Sequence, residues 1–252
     1  MEYYQHDLAL VHARGFGQYA DRCVPGILDH LAPVRGGLVL ELGCGAGALT
    51  RHLLAAGHRV IATDASAAMV ELARAALGAD VGVDVDVDVR QLVLPDDPLP
   101  AVDAIVSVGH VISYLPDAAA VDRALMAMAG ALRPGGVLVF DVCDLEFGLL
   151  RAGEDPIGRV GPDWAVITDF STPAPDQVVR DITTFVPDGA GAWRRGPERH
   201  EYVLVDTSLI PARLASCGVT ATVASAFGAA ELPPGLRAVT GVRIVSQPAC
   251  RR

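Results

Sequence analysis

The sequence predicts an α/β fold, a doubly wound and mostly parallel sheet carrying an antiparallel β insertion. From Leu38 to about Val142, short Val- and Ile-rich runs alternate with Ala/Leu helical patterns, as βαβ units do. A glycine-rich segment, ELGCGAG (41–47), joins the first such strand to the first such helix. After about Glu146, Pro and Gly multiply and helical periodicity vanishes.

Residues 1–31 read as helical, interrupted at RGFG (14–17), with Pro25 suited to the first turn of a second helix. GLVLEL (37–42) is a buried strand and ALTRHLLAAG (48–57) a helix ended by Gly57. RVIATD (59–64) is the second strand. Ser66 then caps a helix whose Met69, Leu72, Ala73, Ala76 and Leu77 share one face, and Gly78 stops it. In VGVDVDVDVRQLVLP (81–95) the strict alternation from Val83 to Val89 marks a half-exposed strand, because strands covered on both faces are unbroken apolar runs. Its acids at i, i+2 and i+4 are about 7 Å apart along a strand, too far to share one ion, so no metal site is expected.

AVDAIVSVGH (101–110) is a fourth strand running into a loop, and Asp117 caps the helix AAAVDRALMAMAGAL. Arg133-Pro134-Gly135-Gly136 halts that helix ahead of the strand VLVFDV (137–142). DWAVITDF, QVVRDITTF and ERHEYVLV follow as antiparallel strands joined by PAPD and PDGAG turns. SLIPARLASCG returns to the core as a helix, with VTATVASAF and LRAVTGVRIVSQ as closing strands. The expected organisation is an N-terminal helical cap (1–36), a ligand-binding core (37–146), a β-rich insertion or lid (147–205) and the last part of the core sheet (206–252).

Composition narrows the function classes. The chain has 252 residues, 51% of them hydrophobic and only 5% aromatic, which excludes disorder and suffices for one large domain with an insertion. Apolar runs such as ALMAMAGAL are far short of the roughly 18–20 residues a membrane crossing needs. The opening MEYYQHD has acids where a signal peptide carries basic residues, so a soluble cytoplasmic protein is expected. Five scattered cysteines suggest neither a disulfide framework nor a zinc site. A net charge of −10 repels phosphate, and the one basic cluster, Trp193-Arg194-Arg195 with Arg199, is interleaved with Glu198 and Glu201. No nucleic-acid or membrane partner is expected, and the protein should be a monomer or homodimer with a small-molecule partner.

Glycines at 43, 45 and 47 allow a tight turn and close approach of a ligand. The spacing also satisfies the dinucleotide form G-x-G-x-x-[GA]. Asp64, at the end of the second strand about 20 residues on, is placed to accept both hydroxyls of an adenosine ribose. NAD fits that pair too. Glu41 separates the options: an acid just before the loop repels a pyrophosphate but suits the cationic, amine-bearing methionine half of S-adenosylmethionine. An NAD-dependent oxidoreductase and a non-catalytic or non-methylating S-adenosylmethionine binder are the alternative readings.

ELGCGAG, Asp64 followed by Ala65-Ser66, the VDAIVS strand with Asp103, and LRPGGVLVF together resemble the class I S-adenosylmethionine-dependent methyltransferases over about residues 35–145. The resemblance implies a Rossmann-like seven-stranded sheet ordered 3-2-1-4-5-7-6 with strand 7 antiparallel and the valine–aspartate segment as edge strand 3. It implies that Gly43 and Gly45, with Cys44 between them, frame the methionine moiety and that Asp64 holds the ribose. Ala65 and Met69 would flank the adenine, and the backbone at Val108 and Gly109 would lie near the amino group. The family's adenine-binding acid precedes Leu-Pro by a few residues. Counting back from Leu94-Pro95 puts Arg90 there, whereas Asp88 fits only with two residues inserted, so the contact is either Asp88 or Gln91 with the backbone around Arg90.

Similar enzymes of amino sugars and natural-product intermediates cover the acceptor with a segment after strand 5. That implies N- or O-methylation of a small molecule by in-line displacement, where alignment supplies much of the rate and a base is needed only for a protonated acceptor. Candidate bases are His110 after strand 4, His12 in VHARGFG and His200 in PERHEY beside Glu198, each also readable as a structural histidine. Tyr114 and Tyr202 are candidate pocket residues, and Asp141 a sheet-end acid. Trp164, Phe170, Phe185 and Trp193 either line the lid or form its own small core.

Overall fold

The computed structural model describes residues 3–80 and 87–245. The alternation expected at Val83, Asp84, Val85 and Asp86, and Cys250, therefore lie outside the described residues. In chain order the core begins with α1 (His6–Gly15), α2 (Gln18–Leu31), β1 (Leu38–Leu42), α3 (Ala48–Ala55), β2 (Arg59–Asp64), α4 (Ala67–Asp80) and β3 (Val87–Gln91). It continues through β4 (Val102–Ser107), α5 (Ala118–Ala131) and β5 (Leu132–Cys143). There follow α6 (Leu145–Arg151), β6 (Ile157–Val160), β7 (Ala165–Ala174), β8 (Gln177–Pro187) and β9 (Trp193–Val203). The chain closes with α7 (Ile210–Ser216), β10 (Val219–Ala224), the short pair β11 (Ala226–Phe227) and β12 (Ala230–Glu231), and β13 (Leu236–Arg243).

Seven strands form one sheet in the order β10-β13-β5-β4-β1-β2-β3, with β13 antiparallel to both neighbours. That is the order the resemblance implied, with β13 as strand 7 and β10 as strand 6. The chain leaves β1 towards β2 and β3, then returns to β4 on β1's other side. A crevice opens at the carboxyl ends of β1 and β4, where such sheets bind ligands. Alternate residues of each strand feed two cores: Val39, Val60 and Val106 pack with Ile27 and Leu53 on one face, and Leu40, Leu42 and Ile105 with Val121 and Leu125 on the other.

Local chemistry sets the helix ends. Asp117 Oδ1 accepts the Ala120 amide at 2.7 Å and Ser66 Oγ the Met69 amide at 3.2 Å. Gly57, at φ 85°, closes α3. Asp103 accepts from the Leu38 amide (2.8 Å) and pairs with Arg133 (2.9 Å), tying the amino ends of the central strands together, away from the crevice. In the edge strand, Val87 and Val89 pack towards the core while Asp88 is exposed.

Strands β6 to β9 form a separate antiparallel sheet in chain order. Its entry and exit are fastened together: Asp144 caps α6 through the Glu146 amide (3.1 Å), accepts the Thr207 amide (3.2 Å) and bridges Val205.

Several local expectations are corrected. Pro25 lies inside α2 rather than in its first turn. The helix begins directly after Gly17 and tolerates the missing donor because Cys23, Val24, Ile27 and Leu31 are buried along it. Gly26 presses so closely on Phe227 that a Cβ would come within 2.1 Å of its carbonyl oxygen. Gly78 does not stop α4, which runs to Asp80 with Gly78 outside the left-handed region. Helix α6 and strand β6 were not expected at all; α6 owes its start to the Asp144 cap. VTATVASAF breaks after Ala224 so that Ala226–Phe227 can pair with Ala230–Glu231. The closing strand ends at Arg243, with Ser246 and Gln247 outside the described residues.

Candidate functional site

The turn from β1 to α3 holds Gly43, Gly45 and Gly47 at φ 72°, 53° and 84°, a region that penalises side chains. A Cβ on Gly43 would meet Val111 Cγ2 at 2.2 Å, whereas nothing lies within 4 Å of one on Gly45, which faces open space. The turn is pinned from β2: the Cys44 amide donates to the Thr63 carbonyl (2.8 Å) and the Gly45 amide to Asp64 Oδ2 (2.9 Å). Asp64 Oδ1 accepts the Ser66 amide at 2.9 Å, so one carboxylate fastens both the glycine turn and the start of α4. Burial pushes its pKa up, against the pull of those backbone donors. Each oxygen keeps a lone pair for a ligand hydroxyl.

Glu41 is 2% exposed and accepts a hydrogen bond from the Thr50 hydroxyl at 2.6 Å. Burial raises its pKa to about 7, the Thr50 bond partly opposing. A carboxylate held so far above its ordinary value gains most from a cationic neighbour. The donor set fits S-adenosylmethionine: an acid for the ammonium, an acid for the ribose and a turn open to close approach.

A cavity of about 1050 Å³ spreads over this turn. Its walls include Glu41, Gly43, Cys44, Gly45, Asp64, Ala65, Met69, Gln91, Val108, Gly109, His110, His12 and Tyr114. Tyr202 lines an adjoining cavity of about 730 Å³ that shares Tyr3, Gly43 and Tyr114 with the first. Asp88 and Arg90 line neither; their side chains are exposed and approach each other at 3.6 Å. Of that trio only Gln91 reaches the cavity, its amide donating to the Ala65 carbonyl at 2.8 Å. His200 lies behind the wall, fully buried and bonded to Glu198 at 3.0 Å. None of Trp164, Phe170, Phe185 and Trp193 lines either cavity. Trp164 instead builds a small core with Leu8, Val11, Ile182 and Val186, between α1 and the insertion.

The far half of the cavity is aromatic. Hydroxyls of Tyr4, Tyr114 and Tyr202 form a chain with steps of 2.9 and 3.1 Å, extended at 3.3 Å by Arg180 Nη1. His110 stacks on Tyr114 with ring centroids 5.8 Å apart. Burial and then nearby Arg180 hold its pKa down, to about 3. His12 stacks on Phe16, and burial lowers its pKa to about 4. Both are therefore neutral at physiological pH. His110 and Tyr4 are the two non-glycine residues in the left-handed region among the described residues, at φ 49° and 54°. Asp141 holds His110 in place, Oδ1 accepting the Gly109 and His110 amides at 2.9 and 2.8 Å and Oδ2 the Tyr19 hydroxyl at 2.5 Å. The sheet-end acid is thus a positioning group.

The N-terminal segment closes over this half. Ser66 Oγ donates to the Tyr4 carbonyl (2.7 Å), the Gln5 amide donates to Glu198 (3.0 Å), and Asp7 pairs with Arg194. Tyr3, Tyr4, Tyr19 and Arg180 were missed from the sequence. Arg180 had left a signal: in QVVRDITTF it shares the strand face of Val178, Ile182 and Thr184, all three buried. A charge at an inward position is a candidate ligand contact. Among the described residues no group of three or more His, Cys, Asp or Glu is placed to hold a metal, and no helix is long and apolar enough to cross a membrane.

Residues 40–138 match the family model described as a methyltransferase domain. A ubiquinone biosynthesis O-methyltransferase of Xylella fastidiosa is 34% identical over 60% of this chain and 62% of its own length. An uncharacterized methyltransferase of Mycobacterium tuberculosis is 34% identical over 54% of this chain and 53% of its own. The chain thus spans little more than half the length of the curated relatives it matches. Among solved structures, an S-adenosylmethionine-dependent methyltransferase from Clostridium acetobutylicum superposes with TM-score 0.75 at 17% identity, covering 94% of this chain and 98% of that one. The sugar N-methyltransferase KedS8 from Streptoalloteichus does so with TM-score 0.72 at 22% identity, covering 97% and 96%.

Proposed function

We propose, from the match of residues 40–138 to a methyltransferase-domain model and from a fold shared with S-adenosylmethionine-dependent methyltransferases, that the protein methylates a small-molecule acceptor at nitrogen or oxygen. The observation that carries this reading is a single cavity joining the glycine turn, Glu41 and Asp64 to a pocket of tyrosines and neutral histidines.

When bound, S-adenosylmethionine would supply an electrophilic methyl group. Glu41 would hold the ammonium end, Asp64 the ribose hydroxyls, and Gln91 with Ala65 and Met69 the adenine end. Tyr3, Tyr4 and the insertion 147–205 exclude water over the acceptor and act as its lid. His110 is the group we assign to take a proton from the acceptor, since it borders the cavity and is neutral; its buried Nδ1 has no partner among the described residues, which leaves the ring free to turn a nitrogen to the acceptor. Tyr114 and Tyr202 orient the acceptor. His12 is a second basic group on the cavity wall, while His200, bonded to Glu198, supports the tyrosine wall from behind. Fold similarity to a sugar N-methyltransferase supports a small soluble acceptor.

The test is calorimetry with S-adenosylhomocysteine and, separately, NAD. Binding of the first and not the second is expected, because Glu41 opposes a pyrophosphate. The reverse result would overturn the methyltransferase reading in favour of a nicotinamide-binding one. Release of S-adenosylhomocysteine upon addition of amine- or hydroxyl-bearing acceptors is the expected turnover signal.

A further inference from the structure

The large cavity is bipolar. Glu41 and Asp64 line it at the glycine turn, and Arg180 lines it beside the Tyr4–Tyr114–Tyr202 hydroxyl chain, brought in by β8 on the face that also buries Val178 and Ile182. A guanidinium has five N–H donors. In the described residues Arg180 makes one side-chain hydrogen bond, to the Tyr202 hydroxyl at 3.3 Å, and its Nε is buried without a partner. Arg133, Arg151, Arg194, Arg199, Arg213 and Arg237 each pair with a carboxylate, whereas no such pair forms at Arg180 among the described residues.

The groups nearest Arg180 do not neutralise it. Tyr4 is held protonated by burial, its pKa raised to about 12, and burial drives Tyr114 the same way. A partly desolvated cation with no carboxylate partner among the described residues carries a cost, and removing that cost rewards whatever anion arrives. The fork of a guanidinium matches the two oxygens of a carboxylate or phosphate.

We propose that Arg180 selects the acceptor by pairing with an oxyanion, a carboxylate or phosphate, which the acceptor carries as well as its methylated atom. The proposal rests on the methyltransferase reading above and adds the chemical class of the substrate. Placing the anion at Arg180 and the cationic cofactor beside Glu41 and Asp64 gives each end of the cavity its own charge and fixes the acceptor's direction. It also relieves His110 of one of the influences that depress its basicity, since after burial the Arg180 charge is the largest of these.

The full chain, saturated with S-adenosylhomocysteine, is titrated calorimetrically with benzoate, phenyl phosphate and the neutral isostere benzamide. At least one anion should bind tenfold or more tightly than benzamide, the better one naming the oxyanion. Arg180→Met should bring anion and amide within about twofold of each other while leaving S-adenosylhomocysteine affinity within threefold, and Arg180→Lys should keep part of the preference. Equal or absent binding of all three probes overturns the proposal, as does a preference that survives Arg180→Met. A matching loss of S-adenosylhomocysteine affinity in that variant overturns it too, by placing Arg180 in the cofactor half. Failure of the wild-type protein to bind S-adenosylhomocysteine is a different result and sinks the methyltransferase reading itself.

Discussion

The two halves of the cavity are finished to different degrees. Around the glycine turn both Asp64 oxygens already accept backbone amides, and Glu41 accepts the Thr50 hydroxyl. Across the cavity, Arg180 Nε and His110 Nδ1 are buried with no partner, as is Nδ1 of His200 behind the wall. A half whose polar groups are satisfied by their own backbone and side-chain neighbours is preorganised for one ligand. A half with polar groups in want of partners is shaped by what it binds, at a cost to the empty fold. The contrast teaches that the proposed cofactor site is a property of the core sheet, and the proposed acceptor site a property of segments laid over it.

The sharpest way to break this contrast is at the turn. Gly43→Ala should abolish S-adenosylhomocysteine binding in calorimetry and lower the melting temperature, because its Cβ would strike Val111. Gly45→Ala, facing open space, should lose binding with a smaller thermal penalty, its cost being the left-handed backbone alone. On the other side, His110→Gln should reduce kcat by about 100-fold or more while leaving S-adenosylhomocysteine affinity unchanged. Equal loss of both would move His110 into the cofactor half. Asp64→Ala should weaken S-adenosylhomocysteine by about 100-fold or more, given about 1.5–3 kcal/mol for each of two hydrogen bonds to a charged group.

Glu41 offers a pH test. Its pKa of about 7 in the fold exceeds the ordinary carboxyl value of 4.5, so the folded protein keeps a proton that the unfolded chain has released. Its contribution to stability is therefore full below pH 4.5 and lost as pH rises through about 7, on the order of 3 kcal/mol. Urea melts of the ligand-free protein at pH 5 and pH 8 should show this loss, and Glu41→Gln should be free of it. Binding runs the other way: an ammonium needs the ionised acid, so S-adenosylhomocysteine affinity should drop about tenfold in Glu41→Gln. The smallest effect should be at Asp88→Ala, whose exposed side chain lies outside the cavity; affinity within twofold of wild type is expected, and a larger loss would return the adenine contact to Asp88.

Much of the cofactor half was legible because its signals are local. Gly43, Gly45 and Asp64 lie within one βαβ unit, and Ser66 and Asp117 act on amides three residues away. The errors also have local causes: Pro25 was assigned by its missing donor alone, without Phe227, a residue from the far end of the chain that packs against Gly26. Helix α6 went unseen because its cap, Asp144, precedes a segment only seven residues long. At the candidate site, spacing to Leu94-Pro95 leaves two alternatives for the adenine contact, Asp88 or Gln91 with the backbone around Arg90; alternation turns the Asp88 and Arg90 side chains to solvent, while Gln91 borders the cavity and reaches the Ala65 carbonyl.

The sequence alone determined the sheet, the glycine turn and its acids, because hydrophobic period, turn chemistry and caps act over a few residues. Only the tertiary structure decided the acceptor half. Tyr4 and His12 come from the N-terminal segment, His110 and Tyr114 from the loop after β4, and Arg180 and Tyr202 from β8 and β9. Their shifted protonation, and an Arg180 without a carboxylate partner among the described residues, arise from packing against one another, and burial is a property no single stretch of chain possesses.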